Sequence, residues 1–191
     1  RQRSIKLTAL FKDGEERNRH PDHAKVRAGA LVPAKEPTAL DEVVESVLHR
    51  MADRLSGVRI RTVLRDVPEI PADPLQLDQV VTNLLDNALR FSPPGGEVMI
   101  SVAPWHGSVQ LRVADQGPGI PVGERERVFE AFYRGDSDER SGSGLGLAIT
   151  RAIVLAHGGQ IRIEGTPSGG AAVVLELPLA GAAAIPQETA T

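Results

Sequence analysis

An α+β domain with helices packed on one face of a mixed sheet is the fold that this sequence predicts. Helical and strand periodicities alternate from Thr38 to about Leu179, and the strands of the second half come in pairs. The 191 residues suffice for one core, and 41% hydrophobic with 25% charged residues lies near globular averages. A formal net charge of −3 offers no basic face for nucleic acid, so no such partner is expected. The chain has no cysteine, which excludes disulfide scaffolds and thiolate metal sites. No apolar run approaches the roughly 20 residues that span a bilayer and no signal peptide opens the chain, so no direct membrane contact is expected.

Residues 1–37 mix charge clusters with His20-Pro21, Pro33 and Pro37 and read as a tail. At Thr38 the pattern changes. Thr38 and Asp41 form an acidic variant of the capping box, and Val43, Val44, Val47, Leu48 and Met51 follow at helical spacing until Gly57. Residues 58–64 alternate apolar and polar as a half-buried strand does. Asp73-Pro74, an N-cap followed by proline at the first helical position, starts a second helix that runs to about Phe91 and stops at Pro93-Pro94-Gly95-Gly96. Strands over 97–103 and 109–115 form a hairpin about the turn Trp105-His106-Gly107-Ser108. A glycine-proline loop, a short helix over 123–131, a glycine- and serine-rich segment over 135–144 and a helix over 145–156 come next. Strands over 160–164 and 171–177 close the domain, which is expected to span 38–179 before a flexible tail, 180–191.

Three stretches carry residues suited to chemistry. Gln76, Gln79, Asn83, Asn87 and Arg90 fall within a stripe about 80° wide on the second helix, opposite a leucine- and valine-rich face. A solvated face would account for the stripe, but asparagines are poor helix formers, and amide oxygens aligned with an arginine suit a hydrated magnesium ion and phosphate oxygens. Asp115-Gln116-Gly117-Pro118-Gly119 ends a strand with an aspartate and two glycines. That is either a capped turn or a carboxylate that accepts a hydrogen bond from the adenine amine. Ser141-Gly142-Ser143-Gly144-Leu145-Gly146-Leu147 runs directly into a helix, either as a flexible linker or as a cradle of backbone donors for phosphate. It lacks the Gly-Lys-Ser/Thr of a P-loop and the spacing of a dinucleotide fingerprint.

In this order the three stretches resemble the histidine-kinase branch of the ATPases that share the Bergerat nucleotide-binding fold, over about residues 38–179. Asn83 to Ser92 is similar to that family's asparagine box, Asp115 to Gly119 to its first glycine box, Val128 to Arg134 to its phenylalanine box, and Gly142 to Leu147 to its second glycine box. The resemblance implies a two-layer α/β sandwich with a mixed, mostly antiparallel sheet, and ATP and magnesium as ligands. It implies that Asn87 ligates the metal with Asn83 ordering it, that Arg90 meets phosphate, that Phe91 walls the adenine pocket and that Asp115 holds the adenine amine. Gly117, Gly119 and Ile120, with Gly142, Ser143, Gly144, Leu145, Gly146 and Leu147, are then expected at the nucleotide. Phe129 and Phe132 are expected to pack the base of the lid.

Two departures stand out. Gly169-Gly170 is followed by Ala171 where relatives often carry threonine, and no His-Asp/Glu-Leu-Arg-Thr-Pro phosphoacceptor motif is present. His20 precedes proline, which disfavours helix, and Arg27 to Leu31 resembles the end of a helical dimerisation domain. The phosphoacceptor is therefore expected on a dimerisation domain outside this chain, with a response regulator beyond it, and the parent protein is expected to be membrane-anchored with this domain in the cytoplasm. Arg27 to Leu31, and Arg151 to Val154 before His157-Gly158-Gly159, also resemble potassium-responsive sensor kinases. Of the remaining histidines, His49 is expected on a solvated helix face, His106 at the hairpin tip, and His157 near a helix C-terminus that would favour its charged form.

A histidine phosphotransferase, a hydrolytic ATPase or serine kinase of the same fold, and a non-catalytic nucleotide-binding module remain as readings. In the hydrolytic branch of the family a glutamate stands one turn before the magnesium asparagine. Here that position is Asn83, and an amide is no general base near neutral pH, which favours the kinase.

Overall fold

The computed structural model describes residues 2–3, 32–134 and 143–182. Its main sheet has six strands in the order β1-β3-β5-β6-β8-β7: Gln2–Arg3, Arg59–Arg65, Glu97–Trp105, Ser108–Ala114, Ala171–Pro178 and Gln160–Gly165. Only β3 and β5 run parallel; every other pairing is antiparallel. A second sheet of two short strands, β2 (Glu36–Thr38) and β4 (Ile70–Ala72), lies apart from it. Three helices, α1 (Leu40–Arg50), α2 (Pro74–Phe91) and α3 (Gly146–Ala156), complete the domain.

Alternation along the strands decides which face the helices cover. Ile100, Val113 and Val173 share one register row and Val102, Leu111 and Leu175 the next, all on the same face. Most of these join one buried cluster with Val44 and Val47 of α1, Leu77, Leu84 and Leu85 of α2, and Ile153 and Val154 of α3. The opposite face needs no second helical layer. There Glu176 accepts from Arg162 at 2.7 Å and from Gln110 at 3.1 Å, and Glu164 pairs with both Arg112 and Arg162, so long polar side chains lie flat over Val174. The expected two-layer sandwich, with a mixed sheet and helices on one face, is the observed one.

Local details differ where long-range contacts outweigh local signals. Thr38 does not cap α1: the N-cap is Ala39, with no side-chain hydrogen bond. Thr38 sits buried in β2, and its hydroxyl donates to Ala72 O across the small sheet at 3.0 Å. Residues 36 and 37, given to the tail by the sequence, pair with Ala72 and Pro71. The short helix expected over 123–131 is instead two 3₁₀ turns, Val122–Glu124 and Arg127–Phe129. Gly123, the poorest helix former after proline, weakens a regular helix there. Trp105 ends β5 rather than lying in the turn. The hairpin closes on His106 and Gly107 alone, whose φ values of 39° and 78° meet the demand of a type I′ connection.

Candidate functional site

Helices α2 and α3 pack against each other and bring two of the three stretches together. Asn83 Nδ2 donates to Gly146 O at 3.3 Å and lies 3.5 Å from Thr150 Oγ1, while Thr150 donates to the same carbonyl at 2.9 Å. A carbonyl can only accept, so this contact fixes the Asn83 amide and leaves its oxygen without a partner among the described residues. A Cβ placed on Gly146 would come within 4.0 Å of both Asn83 and Asn87, so the two asparagines lie against the first turn of α3. That turn starts from Leu145, whose side chain makes no capping bond. Its leading N–H groups are accordingly disposed toward an anion.

The third stretch closes the other side. Asp115 Oδ1 accepts from Gly117 N at 2.8 Å and from Ala171 N at 3.2 Å. Burial raises the Asp115 carboxyl above the ordinary aspartate range, and these two backbone donors oppose that rise. Its second oxygen has no protein partner among the described residues. The turn around it requires glycine: a Cβ on Gly119, where φ is +75°, would sit 2.5 Å from Gly169 O, and one on Gly170 would sit 2.1 Å from Asp115 O. With Ala171 following, the backbone N–H takes the contact to Asp115, and no hydroxyl is available there.

Between these walls lies a cleft of about 870 Å³, within the usual range for small-molecule sites. From α2 it is lined by Asn83, Asn87, Arg90 and Phe91, with the Arg90 guanidinium 5.0 Å over the Phe91 ring. Asp115, Gly119 and Ile120 line it from the β6 side, and Ser143, Gly144, Gly146 and Leu147 from the α3 side. Gly117 and Leu145 stand behind this wall. Gly117 lacks the Cβ that would meet Phe91 O at 2.8 Å, and Leu145 N donates to Ser143 Oγ. Gly142 lies outside the described residues. Phe129 is buried under Arg151 and away from the cleft, whereas Phe132 is 72% exposed at φ +66°. Phe132 N donates to Gly144 O at 3.0 Å and so ties the phenylalanine box to the second glycine box.

Sequence reasoning missed several residues of the cleft. Val128 and Tyr133, rather than the phenylalanines, line it from the phenylalanine-box segment. Arg54 and Asp86 line it as an ion pair at 2.6 Å, and Asp86 is held above the ordinary carboxylate range by burial, against the pull of Arg54. Arg54 lies in a 3₁₀ turn with no motif of its own, so only the packing of that turn on α2 reveals it. Among the described residues no cluster of three or more His, Asp or Glu could hold a metal ion. Oxygen donors that line the cleft include the amides of Asn83 and Asn87, and Asn87 makes no hydrogen bond to any described residue.

His157 corrects the sequence reading outright. It is not a charged helix cap: burial lowers its pKa below the ordinary histidine value, and its ring accepts a hydrogen bond from Asp73 N at 3.0 Å. Desolvation outweighs the helix dipole because the ring is only 3% exposed. His49 is exposed on α1 and His106 occupies the hairpin tip.

A helical layer presenting paired asparagines and an open helix start to a strand-end carboxylate is the design of a nucleotide-binding ATPase-type domain. The family model for histidine kinase-, DNA gyrase B- and HSP90-like ATPases matches residues 72–181, more than half of the chain, and the chain belongs to that family. Sensor protein KdpD of Rathayibacter rathayi is 42% identical over 166 residues, covering 84% of this chain and 19% of that protein. The signal transduction histidine-protein kinase/phosphatase MprB of Mycobacterium tuberculosis (strain H37Rv) is 42% identical over 155 residues, covering 78% of this chain and 29% of that protein. Among solved structures, a mycobacterial sensor histidine kinase MprB superposes with a TM-score of 0.69 at 38% identity, covering 76% of this chain and 97% of that one. Full-length ShkA in complex with AMPPNP superposes with a TM-score of 0.71 at 34% identity, covering 82% and 34%. The domain is thus the ATP-binding one of the histidine-kinase kind. The chain spans well under half the length of these curated relatives. No helix among the described residues is long and apolar enough to cross a membrane.

Proposed function

We propose that this domain transfers the γ-phosphoryl group of ATP to a histidine on a separate dimerisation domain of the same kinase, from which a response-regulator aspartate receives it. The second Asp115 oxygen would accept from the adenine amine, Phe91 would wall the base, and Arg90 and the first turn of α3 would meet the phosphates. Asn87, with Asn83 beside it, would hold magnesium. A bound magnesium ion would offset charge on the phosphate oxygens, and the protein's own part is to position the triphosphate and complement its charge. An anchor in the parent protein, with this domain on the cytoplasmic side, completes the proposal.

The observation that carries transfer over hydrolysis is Asn83. It stands one turn before Asn87, its amide nitrogen is committed to Gly146 O, and it has no capacity to take a proton from water. Radiolabelled ATP with and without the histidine-bearing domain tests the proposal. Acid-labile label is expected on that domain's histidine, with little phosphate released by this chain alone. Vigorous phosphate release by the chain alone would establish a hydrolase, and no label with the partner present would leave a binding module.

A further inference from the structure

At the end of the α2–α3 pair remote from the cleft, His157 joins three segments of the chain. Its Nδ1 lies 2.8 Å from Ile153 O, which can only accept, so Nδ1 carries the proton. Its Nε2 lies 3.0 Å from the Asp73 N–H, which can only donate, so Nε2 is bare. The two partners together select one neutral tautomer.

Asp73 is itself fully engaged. Oδ1 accepts from Leu75 N and Gln76 N at the start of α2, and Oδ2 accepts from Ala34 N at 3.1 Å. Lys35 Nζ reaches His157 O at 3.5 Å. The chain entering through Ala34 and Lys35, the start of α2 and the end of α3 therefore meet at one imidazole. Along either helix this junction lies about 15 Å from the contact of Asn83 with Gly146, at 1.5 Å of rise per residue. The antiparallel pair is held at both ends, by His157 and Asp73 at one and by Asn83 and Gly146 at the other.

We infer that His157 is a positioning residue whose bare Nε2 clasps the start of α2 and the entering chain to the end of α3, and thereby sets how the asparagine-bearing helix meets the glycine-rich start of α3. The clasp itself is independent of any ligand; its effect on nucleotide affinity rests on the proposed ATP site. Burial holds the ring neutral at neutral pH, with Lys35 acting in the same direction and the Ile153 carbonyl and Asp73 against it. Lys35 and Asp73 are the charged groups acting on the ring. Protonation at low pH converts Nε2 into a donor facing another donor, and the clasp opens.

The test uses this chain and two variants. His157→Phe keeps a ring without an acceptor, and His157→Gln keeps an acceptor that does not titrate. In the wild type, imidazole nitrogen NMR should show a protonated Nδ1 and a bare Nε2 at neutral pH. In His157→Phe the Asp73 amide should exchange about tenfold faster and the affinity for a non-hydrolysable ATP analogue should fall about three- to tenfold, the worth of a lost hydrogen bond. His157→Gln should restore most of both. As pH falls below the ordinary histidine pKa and the ring protonates, the wild type should lose affinity more steeply than His157→Gln. A protonated Nε2 at neutral pH, unchanged Asp73 exchange in His157→Phe, or identical pH profiles for wild type and His157→Gln would overturn the inference. Faster exchange with unchanged affinity in a folded His157→Phe would overturn the positioning role. Failure of every form to bind the analogue would instead overturn the ATP site, and the clasp would still be judged by Asp73 exchange and the imidazole spectrum.

Discussion

Helices α2 and α3 lie in one layer, yet they begin in opposite ways. The first turn of α2 is closed: Pro74 removes one donor, Asp73 accepts from the next two N–H groups, and the Asp73 N–H is taken by His157. The first turn of α3 has no side-chain cap and opens on the cleft, between Asn83 and Asn87 on one side and Gly144 on the other. Asp115 across the cleft repeats the contrast within one carboxylate, with one oxygen bound twice by backbone and the other without a protein partner among the described residues. The difference separates scaffold from site. Polar groups that fix the fold meet their partners within the chain, and those that serve a ligand leave capacity open toward the cleft.

The sharpest way to break this contrast is at the wall of the cleft. Gly119→Ala forces a Cβ to within 2.5 Å of Gly169 O at a φ of +75°, and it should cost roughly 3 kcal/mol of stability. Urea unfolding would show this as a lower midpoint with little change in slope. A change below about 0.5 kcal/mol would mean that the wall is looser than described.

At the closed end the expected loss is smaller. Asp73→Ala removes the cap of α2 and the contact with Ala34 while leaving the backbone N–H for His157, and it should cost about 1–2 kcal/mol. Preference for adenine over guanine should be unaltered, because every contact of Asp73 lies at the far end of the helix. A changed base preference in this variant would erase the distinction between the two ends.

Legibility in the sequence follows the same division between local and distant. The boundaries of α2 were readable because Asp73-Pro74, an 18-residue helical period and Pro93-Pro94 are local signals. The asparagine stripe was readable because asparagine has little reason to recur on a merely solvated helix face. The pairing of β2 with β4 was not readable: three-residue strands carry too little alternation to register. Thr38 and His157 depart from their local signals for a related reason. Each carries a respectable local signal, a capping box and a helix C-terminus, that a partner more than thirty residues away overrides. Arg54 reaches the cleft only through tertiary packing, which no short pattern records.

The proposed role of Asp115 is to serve a ligand rather than the fold, and the energetics of its carboxyl have a definite sign. Its carboxyl is raised by burial, so the folded state holds the proton more tightly than the unfolded chain. The contribution to stability is full below the ordinary aspartate pKa and is lost as pH rises through the folded value, so near neutral pH the ionised group is a cost. Asp115→Asn retains an oxygen for Gly117 N and Ala171 N but turns an amide donor toward the proposed place of the adenine amine. Calorimetric titration of wild type and Asp115→Asn with a non-hydrolysable ATP analogue and magnesium, beside thermal unfolding of both at neutral pH, is the most direct test. Asp115→Asn should lose at least tenfold in affinity, about 1.4 kcal/mol or more, while remaining as stable as the wild type or more so. Undiminished affinity, or a variant that binds poorly only because it has unfolded, would contradict the proposed role.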